Sequence, residues 1–246
     1  MDLRSKVVLL TGARRVGAAV AAAVAQHGAE VAIAYNRSKT EAEDVAASVR
    51  SAGRRALIVQ GDVSLEAGCA SIVEQVAAEF GRLDVLINMA SLYRSTPFDD
   101  IDAASWDRQL GVDLRGTFLC TRAAVPVMRK HGGGRIINFA DWVAASGRPR
   151  YKGYLAYYVA KAGVKALTEA LALELAADNI LVNAIAPGPI LAPPDLTVEQ
   201  SKAVEDATPL GRWGGPEEIA KIVLALIESD FVTGETIRVD GGRHVR

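Results

Sequence analysis

The chain has 246 residues, and its 28 Lys and Arg residues nearly balance 29 Asp and Glu residues, giving a formal net charge of −1. Half of the residues are hydrophobic and 23% are charged, a composition that is ordinary for a folded globular protein and excludes extensive disorder. The near-neutral charge provides no global electrostatic basis for binding nucleic acid or an anionic membrane surface.

The chain also lacks the sequence signals of membrane insertion, secretion and metal binding. Its longest uncharged apolar run, Val16–Ala25, is too short to span a bilayer, and its first residues form no signal-peptide pattern. The two cysteines, Cys69 and Cys120, match no zinc or redox spacing. We therefore expect a soluble cytoplasmic protein with reduced cysteines and no metal, membrane or nucleic-acid partner.

Short β-branched and leucine-rich runs alternate with alanine-rich stretches of helical period. The predicted strands are Lys6–Leu10, Val31–Tyr35, Ala56–Gln60, Val85–Asn88, Arg135–Phe139, Leu181–Ile185 and Thr236–Val239. Nearly continuous apolar strands are typical of a parallel sheet with helices on both faces. The first predicted helices are Ala18–His27, Thr40–Ala52 and Ser64–Phe80, and a glycine follows the end of each. Ser64 is a candidate N-cap of the third.

This alternation covers the whole chain without a linker or repeat. It predicts an α/β fold, a single domain over residues 1–246 with a doubly wound parallel sheet of seven strands. The longest irregular stretch, Ala186–Pro209, contains five prolines and is predicted to be a lid or binding loop.

The turn after the first strand has the sequence Thr-Gly-Ala-Arg-Arg-Val-Gly. A glycine-containing turn between a strand and a helix allows the backbone to approach a pyrophosphate, and the helix N-terminus attracts its charge. We therefore expect Gly12, Arg14, Arg15, Val16 and Gly17 to bind a dinucleotide, with the arginines suited to a further phosphate. The alternative is that both arginines are simply solvated.

The end of the second strand indicates which dinucleotide is bound. An Asp or Glu at this place would hold a ribose 2′-hydroxyl, whereas an Arg accommodates a 2′-phosphate. The sequence has Asn36, Arg37 and Ser38, which favours NADP(H) over NAD(H). Ser38 can also cap the next helix, and the two roles are compatible.

Tyr157 and Lys161 are four residues apart in a predicted helix and therefore share a face. A nearby ammonium group favours a phenolate, so we expect the pKa of Tyr157 to be lowered and the phenol to act as an acid or base. Tyr158 points about 100° away around the helix and is the weaker candidate.

These segments, in this order, resemble the short-chain dehydrogenase/reductase family from end to end. Asp62-Val63 after the third strand matches the place where the family contacts adenine. Asn88 to Ser91, which include Ala90, resemble the family's turn after the fourth strand. Pro187-Gly188 resemble its turn after the sixth strand, and Ile190 comes shortly after them. The resemblance implies a Rossmann-type fold and hydride transfer between a nicotinamide cofactor and a small-molecule substrate.

The resemblance also implies particular roles and an assembly. Tyr157 would be the proton donor, and Lys161 would bind the nicotinamide ribose and lower the pKa of Tyr157. A homotetramer would form through the predicted helices Ala103–Lys130 and Gly153–Ala177.

Departures from the family pattern resemble its pteridine reductase branch. The distance from Gly12 to Gly17 is one residue shorter than usual, and Arg15 stands near the position of the middle glycine. The pair of arginines before Val16-Gly17 is similar to the corresponding segment of pteridine reductases.

Two counts disagree about the residue that replaces the family's catalytic serine. Counting back thirteen residues from Tyr157 reaches Ala144, whereas counting forward from the fifth strand reaches Asp141. Pteridine reductases also carry Asp here, so we expect Asp141 to be catalytic and an insertion of three residues to lie within Ala144–Lys152. The alternative is that Asp141 only caps a turn.

Asp113 replaces the asparagine that supports a proton-relay water in the family, and it adds a charge near Lys161. Ser91 and Tyr93 are similar to the pteridine reductase serine and aromatic that contact a pterin. We expect them to line the substrate pocket with Asp141, Trp142 and Tyr157. The alternatives are an exposed loop position for Tyr93 and a packing role for Trp142.

The resulting hypothesis is NADPH-dependent reduction of a pteridine C=N bond. One alternative is a carbonyl reductase of the same family, acting on a 3-oxoacyl thioester, a sugar or a steroid ketone. A second alternative is an NADP-binding sensor with weak catalysis.

Overall fold

The computed structural model describes residues 1–12, 14–194 and 196–246. Ala13 of the glycine-containing turn and residue 195 of the predicted binding loop lie outside the described residues.

Seven parallel strands form one sheet. They are β1 (Val7–Thr11), β2 (Glu30–Tyr35), β3 (Ala56–Gln60), β4 (Val85–Asn88), β5 (Gly134–Phe139), β6 (Ile180–Pro187) and β7 (Thr236–Val239). Their spatial order is β3-β2-β1-β4-β5-β6-β7. Because β1 pairs with both β2 and β4, the order reverses at β1, and the edge of the sheet beyond Thr11 and Asn88 is the ligand-binding crevice of a doubly wound fold.

Helices cover both faces of the sheet. They are α1 (Val16–Gln26), α2 (Lys39–Ser51), α3 (Glu66–Phe80), α4 (Ala103–Leu110), α5 (Gly116–Lys130), α6 (Trp142–Ala145), α7 (Leu155–Leu175), α8 (Val198–Asp206) and α9 (Pro216–Glu228). One buried core lies between the sheet and α1, α2 and α9, and a second lies beneath α3, α5 and the end of α7. A small third cluster packs Val164 of α7 against the ends of β5 and β6. The predicted doubly wound Rossmann-type fold is therefore confirmed.

Several predicted boundaries differ from the structure. The helix predicted over Ala103–Lys130 is divided by a π-helical turn, Gly111–Arg115, and the helix predicted over Gly153–Ala177 is α7 with shorter ends. The stretch Ala186–Pro209 is not wholly irregular, because a capping box in which the Thr197 side chain accepts from the Gln200 amide starts α8 there.

Within the described residues, two serines predicted to cap helices make no capping hydrogen bond. Ser64 binds Asp62 instead of capping α3, whose N-cap position is Leu65. Ser38 occupies the N-cap position of α2, but its side chain makes no capping hydrogen bond in the described part of the chain. No described helix combines the length and apolar character required to cross a membrane.

Candidate active site

The turn after β1 is closed tightly enough to require glycine. Gly12 has a φ of +94°, and a Cβ at Gly17 would lie 2.7 Å from the carbonyl oxygen of Gly12. Thr11 Oγ1 accepts from the amides of Met89 and Ala90 at 3.1 and 3.3 Å, so it joins this turn to the end of β4. Thr11 was not among the site residues predicted from the sequence, because its only signal is a hydroxyl at the end of a buried strand.

Arg15 crosses the crevice instead of reaching the end of β2. Its guanidinium Nη2 donates to the carbonyl oxygens of Leu191 and Ala192 at 2.9 and 3.0 Å. Its φ of 56° lies in the left-handed region that favours glycine, at the place where the related pattern has its middle glycine. In this structure Arg15 therefore holds the segment after β6, whereas the sequence suggested that it reaches a further phosphate.

The residues at the end of β2 face the start of α2 and the end of β3. Arg14 forms an ion pair with Glu41 at 3.3 Å. The side chain of Gln60 donates to the carbonyl oxygen of Asn36 at 3.1 Å. Arg14 therefore lies close to the start of α2, and the charge of Arg37 acts on Asp62 at the end of β3.

Asp62 is rigidly held beside Val63 at the end of β3. Its Oδ1 accepts from the Ser64 amide at 2.9 Å and from the Ser64 hydroxyl at 2.7 Å. These bonds, together with the nearby charge of Arg37, lower the pKa of Asp62. An ionised carboxylate at this place suits a donor group such as an adenine amine.

The side chain of Asn88 is turned away from the crevice into the sheet. Its Nδ2 donates to Asn138 Oδ1 at 3.0 Å and to Thr121 Oγ1 at 3.3 Å. Asn138 in turn donates to Thr168 Oγ1 at 3.0 Å, which connects β4 and β5 with α7. Within the described residues Asn88 Oδ1 is a buried acceptor without a donor.

The segment after β6 has little freedom. A Cβ at Gly188 would lie 2.5 Å from the Cβ of Asp240, and the Gly188 amide donates to Val239 at 2.9 Å. Ile190 is buried, and its carbonyl oxygen accepts from the Gly215 amide at 3.0 Å. Pro187 to Ile190 therefore present a fixed backbone to the crevice.

Tyr157 and Asp141 meet at the centre of the site. The Tyr157 hydroxyl donates to Asp141 Oδ2 at 3.2 Å, while Asp141 Oδ1 accepts from the Val143 amide at 2.8 Å and caps α6. Asp141 therefore caps α6 and also contacts the Tyr157 phenol. Ala144 lies buried within α6, so the structure places Asp141 and not Ala144 beside the tyrosine.

Lys161 is buried below Tyr157 and is paired with a carboxylate. Its Nζ donates to the carbonyl oxygen of Phe139 at 2.7 Å, lies 3.4 Å from Asp113 Oδ1, and is 5.7 Å from the centroid of the Tyr157 ring. A fully buried charge pair of this kind requires further hydrogen bonds to offset its desolvation.

Asp113 receives those hydrogen bonds within the π-helical turn. Its Oδ2 accepts from the Leu92 amide at 3.0 Å and from the Gln109 side chain at 2.8 Å, and its Oδ1 accepts from the Ser91 hydroxyl. The Ser91 hydroxyl therefore donates its proton to Asp113 and can offer a ligand only its acceptor lone pairs.

The expected lowering of the Tyr157 pKa is wrong for this structure. Burial and the negative charges of Asp141 and Asp113 raise the pKa of Tyr157 well above its ordinary value. Lys161 cannot reverse this effect because Asp113 compensates its charge at close range. Burial also raises the pKa of Asp141. The pair therefore retains a proton that it can donate.

Aromatic rings surround this pair. Tyr93 is 62% exposed, but its ring stacks on Tyr154 with centroids 4.8 Å apart and meets the Tyr157 ring edge-on at 5.1 Å. Tyr151 continues the row, with its ring 6.3 Å from Trp142. Tyr151 and Tyr154 were not among the site residues predicted from the sequence, although tyrosines recur there every three residues up to Tyr157.

Trp142 is buried between two arginines. The guanidinium carbons of Arg150 and Arg243 lie 5.3 and 5.5 Å from the centroid of its indole ring. Packing is therefore an established role of Trp142, whose place after Asp141 puts it at the border of the site. The described residues contain no group of three or more His, Cys, Asp or Glu side chains that would hold a metal ion.

Comparisons with known proteins agree with this geometry over nearly the whole chain. The family description "Enoyl-(Acyl carrier protein) reductase" matches residues 12–244. A short-chain dehydrogenase/reductase from Serratia marcescens superposes with a TM-score of 0.91 at 32% identity, covering 99% of this chain and all of the other. The chain belongs to the short-chain dehydrogenase/reductase family.

Relatives in this family carry several activities. The chain is 36% identical to a 3-oxoacyl-[acyl-carrier-protein] reductase from Synechocystis sp., over 98% of this chain and 97% of the relative. It is 39% identical to the cis-4-hydroxycyclohexanecarboxylate dehydrogenase of Sinomonas cyclohexanicum, over 96% of both. A putative short-chain alcohol dehydrogenase from Sinorhizobium meliloti superposes with a TM-score of 0.92 at 32% identity, covering 99% and 98% of the two chains.

Proposed function

We propose that the protein is an NADP(H)-dependent oxidoreductase that interconverts a ketone and a secondary alcohol in a small molecule. The observation that carries this proposal is the Tyr157 phenol, which is held by Asp141 at 3.2 Å beside the buried Lys161. The names of two similar proteins, a 3-oxoacyl reductase and a hydroxycyclohexanecarboxylate dehydrogenase, support carbonyl and hydroxyl chemistry over pteridine chemistry.

Different residues of the crevice would bind different parts of NADP(H). The backbone from Gly12 to Gly17 would bind the pyrophosphate, and Arg14, Arg37 and Ser38 would hold the 2′-phosphate. Asp62 and Val63 would border adenine, and the backbone of Ala90 and the Pro187–Ile190 segment would border the nicotinamide half. When bound, the nicotinamide supplies or accepts the hydride.

Tyr157 transfers the proton. In the reductive direction its phenol donates a hydrogen bond and then a proton to the carbonyl oxygen as negative charge develops there. The raised pKa of Tyr157 keeps the phenol protonated at neutral pH. Asp141, whose pKa is raised by burial, orients the phenol and can return a proton to it. Lys161 holds positive charge beneath the site, and Asp113 fixes its position.

Reduction of a pteridine C=N bond is the second candidate function. It is favoured by one specific feature, the carboxyl of Asp141 at the position that the family usually gives to serine. A ring nitrogen becomes basic as hydride adds to the neighbouring carbon, and a carboxyl with a raised pKa suits protonation of that nitrogen. Tyr93 would stack on the ring.

A homotetramer is part of the proposal. A shallow groove over α4, α5 and α7 is lined by Leu110, Leu114, Phe118 and Leu167. Phe118 is 40% exposed in the single chain. Apolar side chains of this kind would be covered by a second copy. Light scattering of the purified protein would report a mass of four chains, whereas a monomeric mass would contradict this part.

Substrate and cofactor panels test the proposed function. Oxidation of NADPH would be followed by absorbance with a 3-oxoacyl thioester, a cyclic ketone and dihydrobiopterin, and repeated with NADH. We expect NADPH-dependent turnover of a ketone. Turnover of dihydrobiopterin alone would select the second candidate, and tight NADPH binding without any turnover would select a cofactor sensor.

A further inference from the structure

Cys69 and Cys120 are the two cysteines of the chain, and they contact each other in its interior. Cys69 lies in α3 and Cys120 in α5, 51 residues apart in sequence. Their Sγ atoms are 3.1 Å apart, and the side chains are 0% and 1% exposed. Neither residue takes part in the chemistry proposed above.

The contact between the thiols is part of an ordered chain of hydrogen bonds. The Cys69 thiol donates its one proton to the carbonyl oxygen of Val63 at 3.2 Å, so the hydrogen bond between the sulfurs is assigned to Cys120 as donor. Val63 follows Asp62 in the segment that would border adenine. The cysteine pair is therefore connected directly to the adenosine end of the crevice.

We propose that Cys69 and Cys120 are a disulfide-forming site that peroxide oxidises within one chain, joining α3 to α5 and weakening cofactor binding. A disulfide bond is about 2.05 Å long, so the sulfurs must approach by about 1 Å. Because the two sulfurs already touch, no other group lies between them, and this favours a disulfide within one chain over one between chains.

The two cysteines have different parts in the oxidation. The hydrogen bond from Cys120 lowers the pKa of Cys69, whereas the same contact and, after it, burial raise the pKa of Cys120. The Cys69 thiolate attacks hydrogen peroxide, forming a sulfenic acid and releasing hydroxide. The Cys120 sulfur then displaces that hydroxyl group as water. In total two thiols lose two electrons and two protons, and one peroxide becomes two waters.

Oxidation also changes the adenosine end of the crevice. The disulfide has no S–H group, so the carbonyl oxygen of Val63 loses its donor from Cys69. The shift of α3 towards α5 acts on the same segment. This consequence rests on the proposed cofactor site, whereas formation of the disulfide does not.

Thiol titration after peroxide treatment tests the disulfide. In denaturant the reduced chain should give two reactive thiols and the oxidised chain none, with both recovered by dithiothreitol. Trypsin should release residues 56–82 linked to residues 116–122 from a chain that migrates as a monomer without reductant. Two surviving thiols, or linkage between separate chains, would overturn the proposal.

Single variants test the order of the steps. In Cys120→Ser, peroxide should leave a Cys69 sulfenic acid that dimedone traps, because a hydroxyl replaces the resolving thiol and still donates to Cys69. In Cys69→Ser, Cys120 should remain a thiol. The reverse pattern would overturn the assignment of Cys69 as the attacking residue.

Fluorescence titration with NADPH tests the link to the crevice. The oxidised protein should bind NADPH about three- to tenfold more weakly than the same sample after dithiothreitol, as expected for loss of one hydrogen bond and a small displacement. Complete disulfide formation with unchanged affinity would overturn the link to the cofactor site. Absence of NADPH binding in the reduced protein would contradict the proposed function, while leaving the thiol result to decide the disulfide.

Discussion

Tyr157 of α7 donates a hydrogen bond of 3.2 Å to Asp141 at the start of α6, so the proposed proton donor is positioned by a carboxyl group. The family position usually holds a serine, which offers no charge. Asp141 changes the acid–base behaviour of the site, because its charge raises the pKa of the phenol. The same carboxyl caps α6 through the Val143 amide, which limits its motion.

Tyr157→Phe removes the proton donor while retaining the ring that contacts Tyr93. We expect kcat to fall about 10²- to 10⁴-fold, the usual contribution of a positioned acid or base. The dissociation constant for NADPH should change little. Tyr158→Phe, at the next position of α7, is the matched control and should retain activity. Equal activity of the two variants would contradict the assignment of Tyr157.

Asp141→Ser removes the charge beside the phenol. The pKa of Tyr157 should fall, since the Asp141 charge raises it in the native protein. Reduction requires a protonated phenol, so the decline of kcat at high pH should move to lower pH in the variant. A pH profile of ketone reduction measures this change, with the exposed Asp44→Asn as the control. A decline that stays in place, or moves to higher pH, would be inconsistent with the charge effect.

Asp141→Ser also separates the two candidate functions. A serine can still donate to a ketone oxygen, so ketone turnover should remain within about tenfold of the native rate. Turnover of dihydrobiopterin, if the native enzyme has it, should fall by about 10² or more, because the carboxyl that protonates a ring nitrogen is absent. A loss confined to ketones would reverse the assignment.

Lys161→Met leaves Asp113 buried without its partner cation. Breaking a buried ion pair in this way costs about 3–5 kcal/mol in the free energy of unfolding. Chemical denaturation should show this loss, and the double variant Lys161→Met with Asp113→Asn should recover part of it. If the loss of unfolding free energy in the double variant equals the sum of the losses in the two single variants, the pair is not coupled.

Arg37→Ala should distinguish the two reduced cofactors. Loss of a charge-assisted hydrogen bond to the 2′-phosphate is worth about 1.5–3 kcal/mol, so the dissociation constant for NADPH should rise roughly 10- to 100-fold. Binding of NADH should be unaffected. Arg15→Ala is the comparison, because it frees the carbonyl oxygens of Leu191 and Ala192 and should weaken both cofactors alike.

The local sequence was sufficient for the fold and for parts of the site. Apolar runs located all seven strands to within two residues, because parallel strands covered on both faces have a distinct pattern. Spacing placed Tyr157 and Lys161 on one face of α7. Counting from the end of β5 placed Asp141 beside Tyr157, since a strand end is a firmer reference than a loop of variable length.

The remaining site contacts depend on distant parts of the chain. Arg15 binds a carbonyl 176 residues away, and no local pattern specifies that partner. The neutralisation of Lys161 by Asp113 depends on how the π-helical turn packs against α7. The pKa prediction for Tyr157 failed because it counted only the nearby lysine, whereas burial of the phenol and the charges of Asp141 and Asp113 raise that pKa.

Transfer of deuterium from NADPH labelled at the reactive C4 position tests the central claim most directly. The ketone that gives the highest turnover would be reduced by the native protein and by Tyr157→Phe, and the alcohol analysed by mass spectrometry. The account predicts one deuterium on the carbinol carbon with the native protein and a product yield lower by about 10²-fold or more with the variant. Alcohol without deuterium, or equal yields from both proteins, would contradict direct hydride transfer assisted by Tyr157.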